Sequence, residues 1–419
     1  MTIQTAEFSN GFRVVTEKMP GLASASLGVW VDAGTRHETV AENGIAHFLE
    51  HMAFKGTSRR SAFQIAEEIE DVGGYLNAYT SRERTAYYAR VLSADVPLAL
   101  DIIADILRDP SLDESEIEIE RGVILQEIGQ SHDTPDDIIF DWLQETAFPD
   151  QPMGRAILGP PERVRAFGRT DFKRFIGAHY APERMILAAA GDVDHDEIVR
   201  LAERAFGDMS RVTKTAAQSA AYQGGDRREV KDLEQAHFCL ALEAPGYRHP
   251  EYHAAQIASI VLGGGMASRL FQEAREKRGL CYTIFAQTAA WAETGLMMVY
   301  AGTGGNEIAG LVDLTADELN RAARDFTEHE ISRARTQTKA GLVMGLESPA
   351  ARAERLATLM SIWGEIIPLE QTIARIDAVD VAAARSALRT ILKSNPTRAL
   401  YGPVGSAPEL DDTAARLAA

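Results

Sequence analysis

The second half of this 419-residue chain repeats the first half at one constant offset. The segment Pro182-Glu183-Arg184-Met185-Ile186-Leu187 matches Pro396-Thr397-Arg398-Ala399-Leu400-Tyr401, and each segment leads into a glycine. The offset that carries Pro182 onto Pro396 also carries Glu116 onto Glu330, in two long predicted helices. A repeat of this length indicates a duplicated domain, so that each half must build its own version of one fold.

Strands and helices cluster within each half and do not alternate regularly. Residues 24–31 alternate apolar and polar side chains, and two more strand-like segments, 75–80 and 85–92, follow each other directly. Helical spacing is found at 63–72 and 96–107. This order favours an α+β fold over a doubly wound parallel sheet. We predict two homologous αβ domains, each a mixed, mostly antiparallel sheet with helices packed on one face, that together form a clam shell.

The pattern of predicted strands and helices is lost between the two copies, and we place the domain limits there. The small, polar stretch Thr213-Lys214-Thr215-Ala216-Ala217-Gln218-Ser219-Ala220-Ala221 is followed by Gly224-Gly225, as in flexible linkers. We therefore predict an N-terminal domain over residues 1–210, a linker over 211–226 and a C-terminal domain over 227–419.

Composition and charge exclude several classes of protein. The formal net charge is −18, which disfavours nucleic acid and anionic membrane as partners and is compatible with basic peptides. The sequence contains no run of about 18 apolar residues, so we predict no transmembrane helix. The first residues resemble neither a signal peptide nor a transit peptide, so we expect a cytoplasmic protein. Cys239 and Cys281 are expected to be buried free thiols.

The motif His47-Phe48-Leu49-Glu50-His51 is the strongest chemical signal in the chain. We expect a helix here with Asn43 as its N-cap. Histidines spaced i, i+4 share one helix face and can reach one metal ion, and zinc in hydrolytic sites takes three protein ligands. Glu50 neighbours the same face, where a carboxylate can take a proton from a metal-activated water.

The third ligand must come from another part of the chain. Glu120 and Glu127 are separated by two helical turns and therefore share a face. Glu127 is embedded in an apolar run, where an unpaired carboxylate would be costly, so we expect it to be the better ligand. Glu120 would then orient a ligand or a water molecule.

These residues resemble the inverzincin peptidases of the pitrilysin and mitochondrial processing peptidase family, M16, in its short two-domain branch. The resemblance is carried by the runs 44–57, 77–83 and 270–273 and covers essentially the whole chain. The family's spacing between the second histidine and the third ligand leads from His51 to Glu127. The resemblance implies one Zn²⁺ per chain, peptide substrates and a homodimer.

The repeat gives an independent check on where the metal chemistry lies. The counterparts of His47, Glu50, His51 and Glu127 in the second copy have no ligating side chains, and they are Val261, Gly264, Gly265 and Gly341. We therefore expect the metal site in the first half only, with the second half covering the site and contacting substrate.

The resemblance also implies residues that contact the substrate. Arg275 and Tyr282 match an Arg and a Tyr of the second domain that reach the active site, where they could hold substrate carbonyls and the developing oxyanion. The alternative is a solvated Arg and a packed strand Tyr. Asn77, Ala78 and Tyr79 resemble an edge strand onto which the peptide adds as a further strand. The alternative is an ordinary half-buried strand.

An acidic pair downstream of Glu127 is the last candidate. Asp137 and Asp141 lie on the face of Glu127 if its helix continues, and they resemble positions that bind an Arg near the cleavage site of presequences. If the helix breaks at Thr134-Pro135, an acidic solvated face is the alternative.

Together these features predict a zinc metalloendopeptidase that cleaves short, unfolded or presequence-like peptides, which are basic and extended, with Glu50 as general base. Two alternatives are a non-catalytic structural subunit and an active subunit that needs a partner. The first would usually lack metal ligands, and the second would lack the Arg and Tyr, whereas this chain keeps both sets.

Overall fold

Eleven strands form two mixed sheets in the computed structural model, which describes residues 2–212 and 216–419. The strands are β1 Thr2–Glu7, β2 Arg13–Lys18, β3 Ser24–Val31, β4 Tyr75–Thr80, β5 Thr85–Leu92, β6 Met185–Gly191, β7 Gly225–Val230, β8 Ala236–Pro245, β9 Cys281–Ala290, β10 Thr294–Thr303 and β11 Thr397–Gly402. The first sheet has the order β1-β2-β6-β3-β5-β4 and the second the order β7-β11-β8-β10-β9.

Each sheet contains one parallel pair, and its other pairs are antiparallel. The parallel pairs are β2 with β6 and β7 with β11. In the first sheet β3 pairs with β6 and β5, while β4 pairs with β5 alone and forms an edge. The predicted strands 24–31, 75–80 and 85–92 are therefore confirmed with the same limits.

Helices account for most of the remaining chain. They are α1 Ile45–Ala53, α2 Ala62–Asp71, α3 Val96–Arg108, α4 Glu114–His132, α5 Pro135–Ala147, α6 Pro161–Val164, α7 Arg169–His179, α8 His195–Phe206, α9 Tyr252–Gly263, α10 Ile308–Asp325, α11 Glu328–Gly345, α12 Pro349–Trp363, α13 Leu369–Asp377, α14 Val381–Ile391 and α15 Leu410–Ala418. Residues Phe271–Glu276 form one π-helical turn.

Apart from β1, which has no counterpart, the strands of the second sheet follow the same order as those of the first, which confirms the predicted duplication. Helices α4 and α11 begin at Glu114 and Glu328, which are separated by the same offset as Glu116 and Glu330. Helices α5 and α12 both begin at a proline, Pro135 and Pro349, again at that offset. The fold is α+β with two homologous units, as predicted.

The chain forms two compact units that are discontinuous in sequence, unlike the contiguous halves that we predicted. The first unit comprises Met1–Gly129, Arg155–Gln218 and Met344–Ile366, and the remaining segments form the second. Helix α12, from the second half of the sequence, thus belongs to the first unit, and α5, from the first half, belongs to the second. Residues 213–215 of the predicted linker lie outside the described residues.

This exchange follows from the burial pattern of the first sheet. One face packs against α1, α3 and neighbouring helices in a large apolar core. The opposite face presents a second apolar layer that includes Val15, Trp30 and Ile186, and α12 covers it with Leu356 and other apolar residues. Because apolar surface must be removed from water, a sheet that is apolar on both faces needs a helix on each.

Helix α5 has the corresponding place in the second unit. Its apolar side chains, among them Ile139 and Trp142, pack on the second sheet against Cys239 of β8 and Tyr401 of β11. Cys239 and Cys281 are buried free thiols, as expected. Among the described residues, no helix combines the length and apolarity needed to cross a membrane.

Candidate metal centre

Helix α1 presents His47 and His51 on one side. The two ring centroids lie 4.7 Å apart, as the i, i+4 spacing predicts. The predicted N-cap, Asn43, is wrong by one residue, because Gly44 with a φ of 97° occupies that position. The Asn43 side chain instead donates hydrogen bonds to Glu38 and to the carbonyl oxygen of Ala156.

Helix α4 brings Glu127 to both histidines. Its Oε2 atom lies 3.7 Å from His47 Nε2 and 3.8 Å from His51 Nε2, and the three ligand atoms lie within 4.8 Å of one another. Tetrahedral zinc with bonds of about 2.0–2.2 Å holds its ligand atoms about 3.4 Å apart. The donor set of two imidazoles and one carboxylate and its spacing therefore fit a zinc ion with small adjustments.

The neutral form of His47 also suits a metal ligand. Burial, together with the nearby His51, lowers the pKa of His47 to about 4, so that its imidazole is neutral near pH 7. Metal ligands must be deprotonated, and a neutral imidazole offers a lone pair without first losing a proton. Burial raises the pKa of Glu127, while His51 opposes that change.

Glu120 lies behind His51. Its Oε2 atom is 3.0 Å from His51 Nδ1, and its Oε1 atom is 2.5 Å from Lys55 Nζ. An ionised carboxylate only accepts, so Nδ1 carries the proton and Nε2, which faces Glu127, is left to bind a metal. Carboxylate–histidine pairs of this kind orient metal ligands. The role of Glu120 in orienting His51 stays a prediction, and its contacts with His51 and Lys55 are compatible with that role.

The burial argument that favoured Glu127 over Glu120 is wrong. Glu120 is the buried carboxylate, with a side chain 6% exposed, whereas the Glu127 side chain is 43% exposed. Val123, one helical turn before Glu127, is itself 43% exposed, so the apolar run does not enclose the Glu127 carboxylate. Glu120 tolerates burial because His51 and Lys55 satisfy both of its oxygens, which is what a buried carboxylate requires.

Glu50 projects from the same helix as the histidines and is held by the end of β4. The hydroxyl of Thr80 donates to Glu50 Oε2 over 2.6 Å. Burial raises the pKa of Glu50 above its ordinary value, the bond from Thr80 and the charge of His51 lower it, and the charge of Glu127 raises it further. A carboxylate with a raised pKa is a stronger proton acceptor, as general base catalysis requires.

The three edge-strand candidates lie on β4, the outer strand of the first sheet. Asn77 is exposed, Ala78 is buried and Tyr79 is half-buried. The Tyr79 hydroxyl donates to Glu354 on α12 over 2.7 Å. The Ala78 N–H donates to the Asn77 side chain over 2.8 Å, and β4 is the last strand of its sheet. The strand therefore has the open edge that β-augmentation needs.

Arg275 and Tyr282 belong to the second unit and contact each other. The guanidinium of Arg275 lies 4.9 Å from the centre of the Tyr282 ring and 4.7 Å from that of Phe271. Tyr282 is 77% exposed, which excludes the alternative of a Tyr packed within its strand. The pair thus presents a cation and an aromatic ring to solvent.

Asp137 and Asp141 are separated from Glu127 by a helix break. Helix α4 ends at His132 and α5 begins at Pro135, so the argument that they share a helix face with Glu127 no longer holds. Asp137 accepts a hydrogen bond from Ser131 over 2.9 Å. Both residues lie on α5, which belongs to the second unit.

Sequence reasoning missed three neighbours of the candidate site, namely Thr80, Lys55 and Glu354. The first two lie in the runs that carry the family resemblance, but no local pattern pairs them with Glu50 or Glu120. Among the described residues, His47, His51 and Glu127 are the one group of three ligating side chains close enough to hold a metal ion.

Each half of the chain matches the profile of a known protein family. The family profile described as insulinase (peptidase family M16) matches residues 13–161, and the one described as peptidase M16 inactive domain matches residues 166–338. An uncharacterized zinc protease of Streptomyces coelicolor is 38% identical over 414 residues, which cover 96% of this chain and 90% of the relative.

Two further relatives extend the comparison. An uncharacterized zinc protease of Rickettsia bellii is 39% identical over 399 residues, covering 95% of this chain and 97% of the relative. The mitochondrial-processing peptidase subunit beta of Mus musculus is 36% identical over 422 residues, covering 97% of this chain and 86% of the relative. A solved protease from Helicobacter pylori has the same fold, with a TM-score of 0.88 at 22% identity over 95% of this chain and 99% of that one.

Proposed function

The chain belongs to peptidase family M16 and is a metallopeptidase, and from that premise we propose that it is a zinc-dependent endopeptidase that uses Glu50 as general base. The observation that carries the proposal is the convergence of His47 and His51, on α1, with Glu127, on α4. One zinc ion per chain would be held by these three side chains.

The residues of the site divide the work among them. Zinc, when bound, supplies a Lewis acid that polarises a carbonyl and lowers the pKa of water to about 7. Glu50 accepts the proton of the attacking water and then delivers it to the leaving amine, while the Thr80 hydroxyl fixes its carboxylate. Glu120, supported by Lys55, keeps the His51 ring in the tautomer that offers Nε2 to the metal.

We propose that the substrate is an extended peptide that pairs with β4. The open edge of β4 supports this proposal, because main-chain hydrogen bonds can bind many sequences. Thr80, the last residue of β4, contacts Glu50, so a peptide aligned along this edge runs toward the candidate metal centre. The mouse relative is named a processing peptidase, which is compatible with peptide substrates.

Other parts of the proposal rest on charge and on the resemblance. The net charge of −18 favours basic peptides, with Asp137 and Asp141 as candidate contacts. The roles of Arg275 and Tyr282 as substrate contacts, the homodimer and the cytoplasmic location stay predictions.

Metal analysis combined with peptide cleavage tests the proposal. The purified protein should contain one zinc per chain and cleave unstructured peptides, and a chelator should abolish cleavage until zinc is restored. The His51→Ala protein should lose both zinc and activity, because a bidentate remnant binds zinc poorly. Full retention of zinc by His51→Ala would refute the ligand set, and cleavage unaffected by the chelator would refute the metal mechanism.

A further inference from the structure

A buried carboxylate upstream of His47 is bonded to the beginning of α1. Glu38 is 2% exposed. Its Oε1 atom accepts from the backbone N–H of Ala46 over 2.9 Å, and its Oε2 atom accepts from the N–H of Gly44 over 3.0 Å. The Asn43 side chain adds a third bond, to Oε2, over 3.1 Å. The first N–H groups of a helix lack intrahelical partners, and Gly44 at the N-cap has no side chain to supply one.

The main chain of residues 158–159 packs closely against the residues that precede α1. A Cβ atom on Gly44 would lie 2.7 Å from the carbonyl oxygen of Leu158, and one on Gly159 would lie 2.4 Å from that of Asn43. The backbone carbonyl of Glu38 also accepts a bond from Arg155. Glu38 therefore bonds to the first residues of α1, and residues 158–159 pack against the residues that precede the helix.

A carboxyl group in this place accepts hydrogen bonds that an apolar residue could not accept. A carboxylate at a helix N-terminus interacts favourably with the helix dipole. Burial raises the pKa of Glu38 to about 7, while the hydrogen bonds from Ala46, Gly44 and Asn43 oppose that rise. Removal of the carboxylate would leave two buried N–H groups without an acceptor, which is costly.

The length of α1 makes its anchoring important. It has nine residues, fewer than the roughly 12–15 that isolated helices need to be even marginally stable. His47 directly follows Ala46, whose N–H is bonded to Glu38. Any shift of this first turn would move His47 and His51 relative to Glu127, which lies on a different helix.

We propose that Glu38 is a positioning residue that fixes the start of α1 and thereby sets the geometry of the His47–His51–Glu127 group. This inference deepens the proposed function and rests on it, since it concerns the same metal centre. Glu38 acts through the backbone of α1 and contacts neither metal nor substrate.

Two cap deletions in the full chain test the proposal. Glu38→Ala removes the acceptor of α1, and Asp194→Ala removes that of α8, where the Asp194 side chain accepts from Glu197 N over 2.9 Å. Zinc affinity would be measured by competition with a chromophoric chelator, and ligand geometry by the absorption spectrum of the Co²⁺-loaded protein. Thermal unfolding of the metal-free proteins would report the general loss of a cap.

Both variants should melt below the parent, because each loses a helix cap. Only Glu38→Ala should bind zinc more weakly, by at least about tenfold, and show an altered Co²⁺ spectrum. Glu38→Gln, which keeps one acceptor oxygen, should restore part of the affinity and serves as the test if Glu38→Ala does not fold.

Zinc affinity and a Co²⁺ spectrum equal to the parent's in folded Glu38→Ala, or in Glu38→Gln where Glu38→Ala does not fold, would overturn the positioning role. An equal loss of affinity in Asp194→Ala would also overturn it, because the effect would then be general destabilisation. The parent is measured first, and failure of the parent itself to bind one zinc would instead refute the proposed function.

Discussion

Glu120 and Glu127 lie two turns apart on α4 and have opposite surroundings. Glu120 is enclosed and bonded to His51 and Lys55, whereas Glu127 is half-exposed and faces both imidazoles. The enclosed carboxylate contacts Nδ1 of His51 and Lys55, whereas Glu127 faces the Nε2 atoms of both histidines. The half-exposed one keeps its oxygens available, and this assigns it the ligand role that we propose.

Replacement of the proposed base should separate catalysis from metal binding. Glu50→Gln removes the proton acceptor but none of the proposed ligands, so zinc content should stay at one per chain. Turnover should fall at least about 10²-fold, the lower range for general base catalysis. Steady-state kinetics on an unstructured peptide, with metal analysis of the same sample, measures both. Activity within a few-fold of the parent would show that a group other than Glu50 accepts the proton of the attacking water.

Glu330 should make the stability of the protein depend on pH. Although burial alone would raise its pKa, hydrogen bonds from Arg269 and Thr327 hold the pKa at about 2, against an ordinary value of 4.5. A lowered pKa stabilises the fold fully above pH 4.5, and this stabilisation is lost as the pH falls toward 2. After allowance for solvent screening, we expect about 1–2 kcal/mol.

Glu330→Gln should therefore lower the free energy of unfolding at pH 7, and the deficit should shrink between pH 4.5 and pH 3. Urea unfolding of the variant and the parent at each pH measures this difference in the free energy of unfolding. Glu328→Gln is the control on the same helix, because Glu328 is exposed and its ion pair with Arg335 should contribute little. A deficit that stays constant with pH would contradict the charge interaction with Arg269.

At the scale of elements, the break between α4 and α5 changes the meaning of the acidic pair. Thr134-Pro135 ends one helix and starts another, because proline cannot continue a helix but fits its first turn. Asp137 and Asp141 are thereby carried on a helix that packs on the second sheet. Proximity to Glu127 in the sequence no longer supports their role, which now rests on charge and on the resemblance.

Peptide pairs that differ in one charge test that role. A substrate with Arg two residues before the scissile bond should be cleaved faster than one with Glu, and high salt should reduce the difference by screening. The preference should weaken in Asp137→Asn/Asp141→Asn. The control is Asp411→Asn/Asp412→Asn, which makes the same change of charge on α15. Equal rates for both peptides in the parent would refute the electrostatic part of the proposal.

At the scale of the whole molecule, neither half of the sequence contains a complete unit. The first sheet needs α12, from residues 349–363, to cover its second apolar face, and the second sheet needs α5. Leu356 of α12 is buried against the layer that includes Trp30 and Ile186. A cut between the halves therefore removes an essential helix from each unit.

The fragment 1–210 should accordingly bind zinc weakly or not at all and should not cleave peptides, although it contains all three proposed ligands. Without α12 it exposes an apolar sheet face, which favours aggregation. Co-expression of residues 226–419 should restore part of the activity, because that fragment supplies α12. Zinc content and peptide cleavage of the two preparations are the measurements. A fragment 1–210 as active as the full chain would show that α12 is dispensable.

The sequence by itself determined the features that depend on local geometry. The i, i+4 spacing placed His47 and His51 on one helix face, and the strand-like segments 24–31, 75–80 and 85–92 gave the limits of β3, β4 and β5. The constant offset between the copies predicted two homologous units, since each copy carries the same local patterns. These inferences succeed because a helix or a strand is fixed by neighbours a few residues apart.

Only the tertiary structure decided which distant side chains meet. It placed Glu127 at ligand distance from the histidines and Glu120 behind His51. The burial of these two carboxylates is the reverse of what we expected. The tertiary structure also joined Thr80 to Glu50. It also exchanged α5 and α12 between the units. The physical reason is that such contacts join residues far apart in the chain. Whole apolar faces drive their packing, and no local pattern of residues records which faces will be paired.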